Sequence, residues 1–269
     1  MRLLPLEAFA HVFAPLRDKY VGFIPSRGNV GDRLIDAATF QLFKHFGVNW
    51  QLADLERLDT MAELVFGGGG NMGRLYPKNT LLRQRLLDSG KPVTVLPQSF
   101  SDFEERPFKN VYVRERASQR FCPKGILAPD LALGFDPGDT PAKSSCGLGL
   151  FLRRDPEGVA SKLWGRCDPI KLCRTPAEYL ALAAAHEWII TDRLHFAIAA
   201  LITRRNTILL PNAYHKNESM HATWLGKLGC RYATTVSEAL RMCGVAPRKW
   251  FIMSFAKRLA WRKLALAKR

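Results

Sequence analysis

The sequence predicts an α/β protein made of two Rossmann-like domains that face each other across a cleft. Three observations point there. Short apolar runs alternate with amphipathic helical stretches along nearly the whole chain, the pattern of a mostly parallel sheet. Most of the strand-like runs end in glycine or polar turns, and in open α/β sheets ligands collect at those carboxyl ends. A Pro-, Gly- and Ser-rich stretch at 135–145 (FDPGDTPAKSS) divides the alternation in two. The expected units are an N-terminal domain over 1–138, a C-terminal domain over 145–247, and a basic aromatic tail helix over 248–269.

Composition sets the bounds. A chain of 269 residues, 47% hydrophobic and 24% charged, can bury the core of one large or two small domains. The net charge is +16, and the last 22 residues carry eight bases and no acid. Such a field favours phosphorylated or carboxylated substrates, or an anionic membrane surface. No nucleic-acid-binding motif accompanies the charge, so nucleic acid is not an expected partner. The six cysteines show neither C-x-x-C pairing nor a histidine at zinc spacing, which fits a reduced cytoplasmic chain without a metal. No signal peptide is evident at the N-terminus, and no uncharged run reaches the ~18 residues that span a bilayer.

In chain order, residues 1–17 read as a short amphipathic helix and 20–24 as a first buried strand. The turn SRGNVGD (26–32) follows, then a helix to about residue 45. Strand, glycine turn and helix together cradle phosphate well; Asn29 and Asp32 are equally suited to capping the helix. Strands are expected at 48–53 and 63–66, the second running into GGGGNMG (67–73). Gly68, Gly70 and Gly73 satisfy G-x-G-x-x-G. The motif follows a later strand, however, Pro77 interrupts the helix that should come next, and no acidic residue stands at a strand end about 20 residues on. NAD and FAD are therefore not expected, and no other cofactor is implied. A helix over 79–89 leads to a strand at 93–96 that ends in the polar turn PQSF (97–100). Strands at 111–113 and 126–128 complete the first half.

The second half alternates in the same way: strand 147–152, helix 176–186, strand 188–190, helix 194–202, strand 207–210, and helices near 219–227 and 237–243. Its centre is TDRLH (191–195), where a buried strand passes directly into an apolar helix. A helix start offers free N–H groups and partial positive charge. Arg193 and His195 at that point make an anion site with a titratable group beside it; the alternative is a capping Asp192, an exposed Arg193 and a core His195. The tail mixes Trp250, Phe251, Phe255 and Trp261 with Lys and Arg, a composition suited to an anionic headgroup layer.

Taken in order, GNVGD (28–32), GGGN (68–71), LPQS (96–99), VRERAS (113–118), PDLAL (129–133), TDRLH (191–195) and PNAYHK (211–216) resemble the polysaccharide pyruvyl transferase family over residues 20–220. The resemblance implies a GT-B-like fold and transfer of pyruvate from phosphoenolpyruvate, as a ketal, to a sugar of an exopolysaccharide or its lipid-linked repeat unit. It implies that Arg114, Arg193, His195 and Lys216 hold phosphoenolpyruvate and that His195 is the acid–base group. Asp32 is a second candidate base. Asn29, Gly31, Gly69, Gly70, Asn71, Gln98 and Ser99 are assigned to the acceptor or to cleft closure. The expected location is the cytoplasmic face of an inner membrane, with the tail on the lipid. The alternative of the same architecture is a nucleotide-sugar glycosyltransferase. The chain is short for the family, which leaves the acceptor's identity open.

Overall fold

The computed structural model describes residues 2–26, 28–54, 56–58, 60–73, 77–138, 146–160, 164, 167–247 and 250. Two sheets organise it. The first holds β1 (Tyr20–Ile24), β2 (Asn49–Leu52), β3 (Glu63–Phe66), β4 (Gly69–Met72), β5 (Val93–Phe100), β6 (Asn110–Val113) and β7 (Ile126–Leu127). Their order is β2-β1-β3-β5-β6-β7, with β4 pairing the second half of β5. The second sheet holds β8 (Cys146–Phe151), β9 (His186–Thr191), β10 (Asn206–Leu209) and β11 (Arg231–Tyr232), in the order β11-β10-β9-β8. All pairings are parallel. The fully buried runs of β3 and β5 fit this, since a parallel sheet is covered on both faces. From β1 the chain passes to β2 on one side and then to β3 on the other. This leaves a crevice at their carboxyl ends.

The helices are α1 (Ala10–Phe13), α2 (Val30–Phe46), α3 (Pro77–Asp88), α4 (Pro176–Ala184), α5 (Leu194–Ile202), α6 (Lys216–Thr223) and α7 (Val236–Met242). A capping box starts α2: the Asn29 side chain accepts from the Gly31 amide, and the Asp32 carboxylate accepts from the Asn29 amide, both at 2.8 Å. Gly47, at φ 66° in the left-handed region, ends it. In α5 every residue except His195 is buried, so the helix is packed on all sides. It lies against β9 and β10 of its own sheet and against α2 of the first. One apolar cluster accordingly joins Phe23, Leu34 and Phe43 to Phe196, Ile189 and Leu209.

The two halves also meet through polar groups. Ser219 and Thr223 of α6 accept hydrogen bonds from the amides of Ala117 and Arg116 at 3.1 and 3.3 Å. They thereby cap the 3-10 turn Arg116–Arg120 of the first half. The Trp224 indole donates to the Arg114 carbonyl at 2.6 Å.

Several sequence expectations are corrected. The N-terminal helix is only a turn of α-helix between two 3-10 turns, Leu6–Phe9 and Ala14–Leu16. The strand expected to end at Leu96 runs on through Pro97, Gln98 and Ser99 to Phe100. Pro97 is accommodated because the register with β6 shifts between Val95 and Gln98, where a ladder donor is not needed. The glycine run includes a strand, β4. The last helices begin earlier than expected, α6 at Lys216 and α7 at Val236, and β11 was not foreseen. Of the proposed linker at 135–145, residues 139–145 lie outside the described residues, as does the tail except Trp250. Among the described residues no helix is long and apolar enough to cross a membrane.

Candidate active site

The carboxyl ends of the two sheets meet around a cavity of about 480 Å³. Asn29 and Asp32 reach it from the turn after β1, Gly70 from β4 and Arg114 from the end of β6. Across from them stand Arg153, Asp155 and Glu157 after β8, Arg193 and His195 after β9, and Lys216 at the start of α6.

Asp130 is the anchor of the first charged group. It caps the 3-10 turn Leu131–Gly134, its Oδ1 accepting from the Ala132 amide at 2.9 Å. Its Oδ2 accepts from Arg114 Nη1 at 2.7 Å and lies 3.2 Å from His195 Nε2. Burial would raise this carboxyl; His195, Arg114 and the Ala132 amide outweigh it and hold the group well below the usual carboxylate range. Arg114 also donates from Nε to Ser99 Oγ at 2.8 Å. His195 is thus oriented by a buried anion, with the Arg114 guanidinium 3.4 Å away.

The second group surrounds Lys216. Its Nζ donates to Glu157 Oε2 at 2.5 Å, and the same carboxylate oxygen accepts from Arg153 Nη1 at 2.7 Å. Burial pulls the Lys216 ammonium down to about 8, although Glu157 opposes the shift. The third group holds Arg193. Nε and Nη2 grip Asp168 bidentately at 3.0 and 2.6 Å, and Nη2 lies 2.8 Å from Asp155. The alternative of a capping Asp192 and an exposed Arg193 does not hold: Arg193 is buried and is itself the N-cap of α5, and no side chain caps that helix. Asp192 instead accepts from the Arg153 amide at 2.8 Å, and burial raises it to about 6. The uncapped start of α5 therefore opens on the cavity through Leu194 and His195.

A glycine lets the two halves close on each other: a Cβ on Gly31 would stand 2.9 Å from the Cβ of His195. Within the first half, a Cβ on Gly70 would stand 2.8 Å from Arg114 Nη2. Gly69, at φ 147°, turns the backbone over Ser26 and Asp32. Burial raises the Asp32 carboxyl against the opposing pull of His195, the Asn29 amide, Arg114 and Lys216. One helical turn on, burial and Asp32 together raise Asp36 to about 7.

Of the residues singled out in the sequence, Asn29, Asp32, Gly70, Arg114, Arg193, His195 and Lys216 line one cavity. Gly31 and Gly69 stand behind it as close-approach positions. Gln98 and Ser99 are not on an acceptor loop. Both are buried on β5, Gln98 donating to the Gly67 carbonyl and Ser99 to Glu115 Oε2 at 2.8 Å. The Asn71 side chain lies outside the described part. Nothing local in the sequence selects Asp130, Arg153, Asp155, Glu157 or Asp168. Asp130 sits in a noted motif (PDLAL), but nothing local pairs it with His195, 65 residues away. Among the described residues no group of three or more His, Cys, Asp or Glu side chains is arranged to hold a metal ion.

Comparison with known proteins identifies the family. The family model "Polysaccharide pyruvyl transferase" matches residues 29–214, from the cap of α2 to the threshold of α6. Among curated relatives, "General stress protein 30" of Bacillus subtilis is 25% identical, the match covering 80% of this chain and 81% of that one. "Putative pyruvyl transferase EpsO" of the same organism is 24% identical, covering 75% and 83%. A functionally uncharacterised protein of Klebsiella pneumoniae has a similar fold, with a TM-score of 0.68 at 20% identity over 84% of this chain and 97% of that one. With well over half of its length matched, and with the cations of its cavity inside that match or at its edge, the chain belongs to the polysaccharide pyruvyl transferase family and is a pyruvyltransferase.

Proposed function

We propose that the donor is phosphoenolpyruvate and that the enzyme leaves pyruvate as a ketal on one sugar residue of an exopolysaccharide or its lipid-linked repeat unit. One observation carries this: Arg114, Arg193 and Lys216 converge on His195 at the uncapped start of α5. A small ligand with both a phosphate and a carboxylate needs several fixed cations and helix amides around one acid–base group. In the proposed sequence a sugar hydroxyl adds to C2 of the enol while C3 takes a proton. The C2–O bond to phosphate then breaks, and a second hydroxyl of the same sugar closes the ketal and gives up its proton.

His195, held by Asp130, is assigned the proton transfers. Lys216 and Arg193 are assigned to the leaving phosphate, and Arg114 to the donor carboxylate. Asp32, raised by burial, is placed to take a proton from the acceptor, with Asn29 and Gly70 beside it. We take the two sheets, which meet at their carboxyl ends, as the halves of a GT-B-like pair of facing Rossmann-like domains. The segment 248–269, with eight bases and no acid, is assigned to an anionic membrane surface at the cytoplasmic face, where lipid-linked acceptors would be met.

Calorimetric titration of phosphoenolpyruvate into the wild type and Lys216→Met tests the donor. Binding to the wild type that weakens at least about tenfold in the variant is expected, for loss of a buried charge partner. A wild type that binds a nucleotide sugar and ignores phosphoenolpyruvate would mean that the family fold serves a glycosyltransferase here.

A further inference from the structure

A second cavity of about 290 Å³ lies beside the first. The two are separated by β4 and the start of α3. Gly70 and Asn79 face the first cavity, whereas Met72 and Thr80 face the second. One wall of the second cavity is polar: Arg106 is held bidentately by Glu104, at 2.7 and 2.8 Å, next to the buried Arg83. Its lining also includes two aromatic rings, Phe103 and Phe121. Phe103 is 73% exposed, so its ring is open to a ligand entering this cavity.

The aromatic lining continues towards the proposed donor site. Phe103 meets Phe121 edge-on at 5.8 Å, Phe121 stacks on His215 at 5.6 Å and 23°, and His215 meets Tyr214 at 5.4 Å. Lys216 Nζ then lies 4.9 Å over the Tyr214 ring. The ladder therefore leads from an exposed phenyl ring to a cation of the first cavity. Each step is comparable to the length of one sugar residue.

We propose that the second cavity and this ladder hold the acceptor saccharide on either side of the residue that is modified. This inference rests on the acceptor chemistry of the previous section. A pyranose offers an apolar C–H face to an aromatic ring and a rim of hydroxyls to charged groups. Both surfaces are present here in one cavity, adjoining the reaction site. A free phosphorylated small molecule would use the charged wall and leave Phe103 uncovered. A lipid surface would use Phe103 and leave the enclosed charged wall empty.

The test uses oligosaccharides released from the producing organism's own exopolysaccharide, freed of ketals by mild acid and separated by size. Binding to the full-length protein is measured by calorimetry, alone and with phosphoenolpyruvate. Tetrasaccharides are expected to bind the wild type at least about tenfold more tightly than monosaccharides, and Phe103→Ala to remove most of that gain. Phe103→Trp should keep it. Phosphoenolpyruvate affinity and melting temperature should be the same in all three proteins, since Phe103 is exposed and far from the donor cations. Affinity independent of chain length, or a length dependence untouched by Phe103→Ala, would overturn the inference. So would Phe103-dependent binding to anionic vesicles without saccharide binding. If length dependence persists while phosphoenolpyruvate does not bind, the donor assignment fails and the saccharide site stands.

Discussion

His195, to which the proton transfers are assigned, illustrates how one buried carboxylate can orient an imidazole. Asp130 accepts from Arg114 and fixes the imidazole nitrogen that faces it. Replacing it by Asn keeps the shape and removes the charge that would stabilise a protonated imidazole. Asp130→Asn is expected to lower kcat by about a hundredfold or more, with donor affinity much less affected; steady-state kinetics and calorimetry separate the two. Lys216 makes a second prediction. Its ammonium is pulled down to about 8, so it is charged below that pH and neutral above. Donor affinity should fall as pH rises from 7 to 9, and Lys216→Met should flatten that fall while weakening binding at pH 7. An unchanged profile in the variant would assign the titration to another group.

At the scale of elements, α2 carries its charges where burial makes them costly. Asp36 has a folded pKa of about 7, against an ordinary carboxylate value near 3.8. The native chain therefore binds more protons than the unfolded chain between those values, and stability is lost as pH rises through 7. Asp36→Asn should raise stability at pH 8 by on the order of 1–2 kcal/mol, a few degrees in melting temperature, and change little at pH 4. A gain over the wild type no larger at pH 8 than at pH 4 would contradict this. Much at this scale was legible in the sequence. β1, β3 and α5 occur where the apolar runs place them, and the cations Arg114 and Arg193 stand directly after strand ends, with Lys216 at the start of α6. Their counter-charges were not legible. Arg193 meets Asp168 across 25 residues and Lys216 meets Glu157 across 59, pairings that only the fold creates. The polar turn expected at PQSF failed for a related reason: β4, made mostly of glycine and asparagine, shows no strand pattern, yet it supplies the partner that extends β5.

At the scale of the molecule, the site exists only while the two halves keep their relative position. The Trp224 indole is part of what holds them, since its N–H satisfies the carbonyl of Arg114 itself. Trp224→Phe leaves that buried carbonyl unpaired, at about 1–3 kcal/mol. The melting temperature should drop by several degrees and donor binding should weaken with it. Loss of stability with full donor affinity would show that Arg114 is positioned by its side-chain partners alone. The basic segment makes a separate prediction: a chain ending at Pro247 should no longer float with anionic vesicles, while retaining donor binding. Retained flotation would place the membrane contact elsewhere.

The cations of the cavity are already matched. Arg114 rests on Asp130, Arg193 on Asp168 and Asp155, and Lys216 and Arg153 on Glu157. The cavity thus works like an ion exchanger whose resin carries its own counter-ions. An arriving anion must compete with carboxylates that cannot diffuse away, which disfavours simple monoanions and favours a ligand offering two charged groups at once. The same competition acts in reverse after transfer. If the donor is phosphoenolpyruvate, as proposed, the inorganic phosphate it leaves has one charged group where the donor had two, and the protein's own carboxylates would compete it back to solvent.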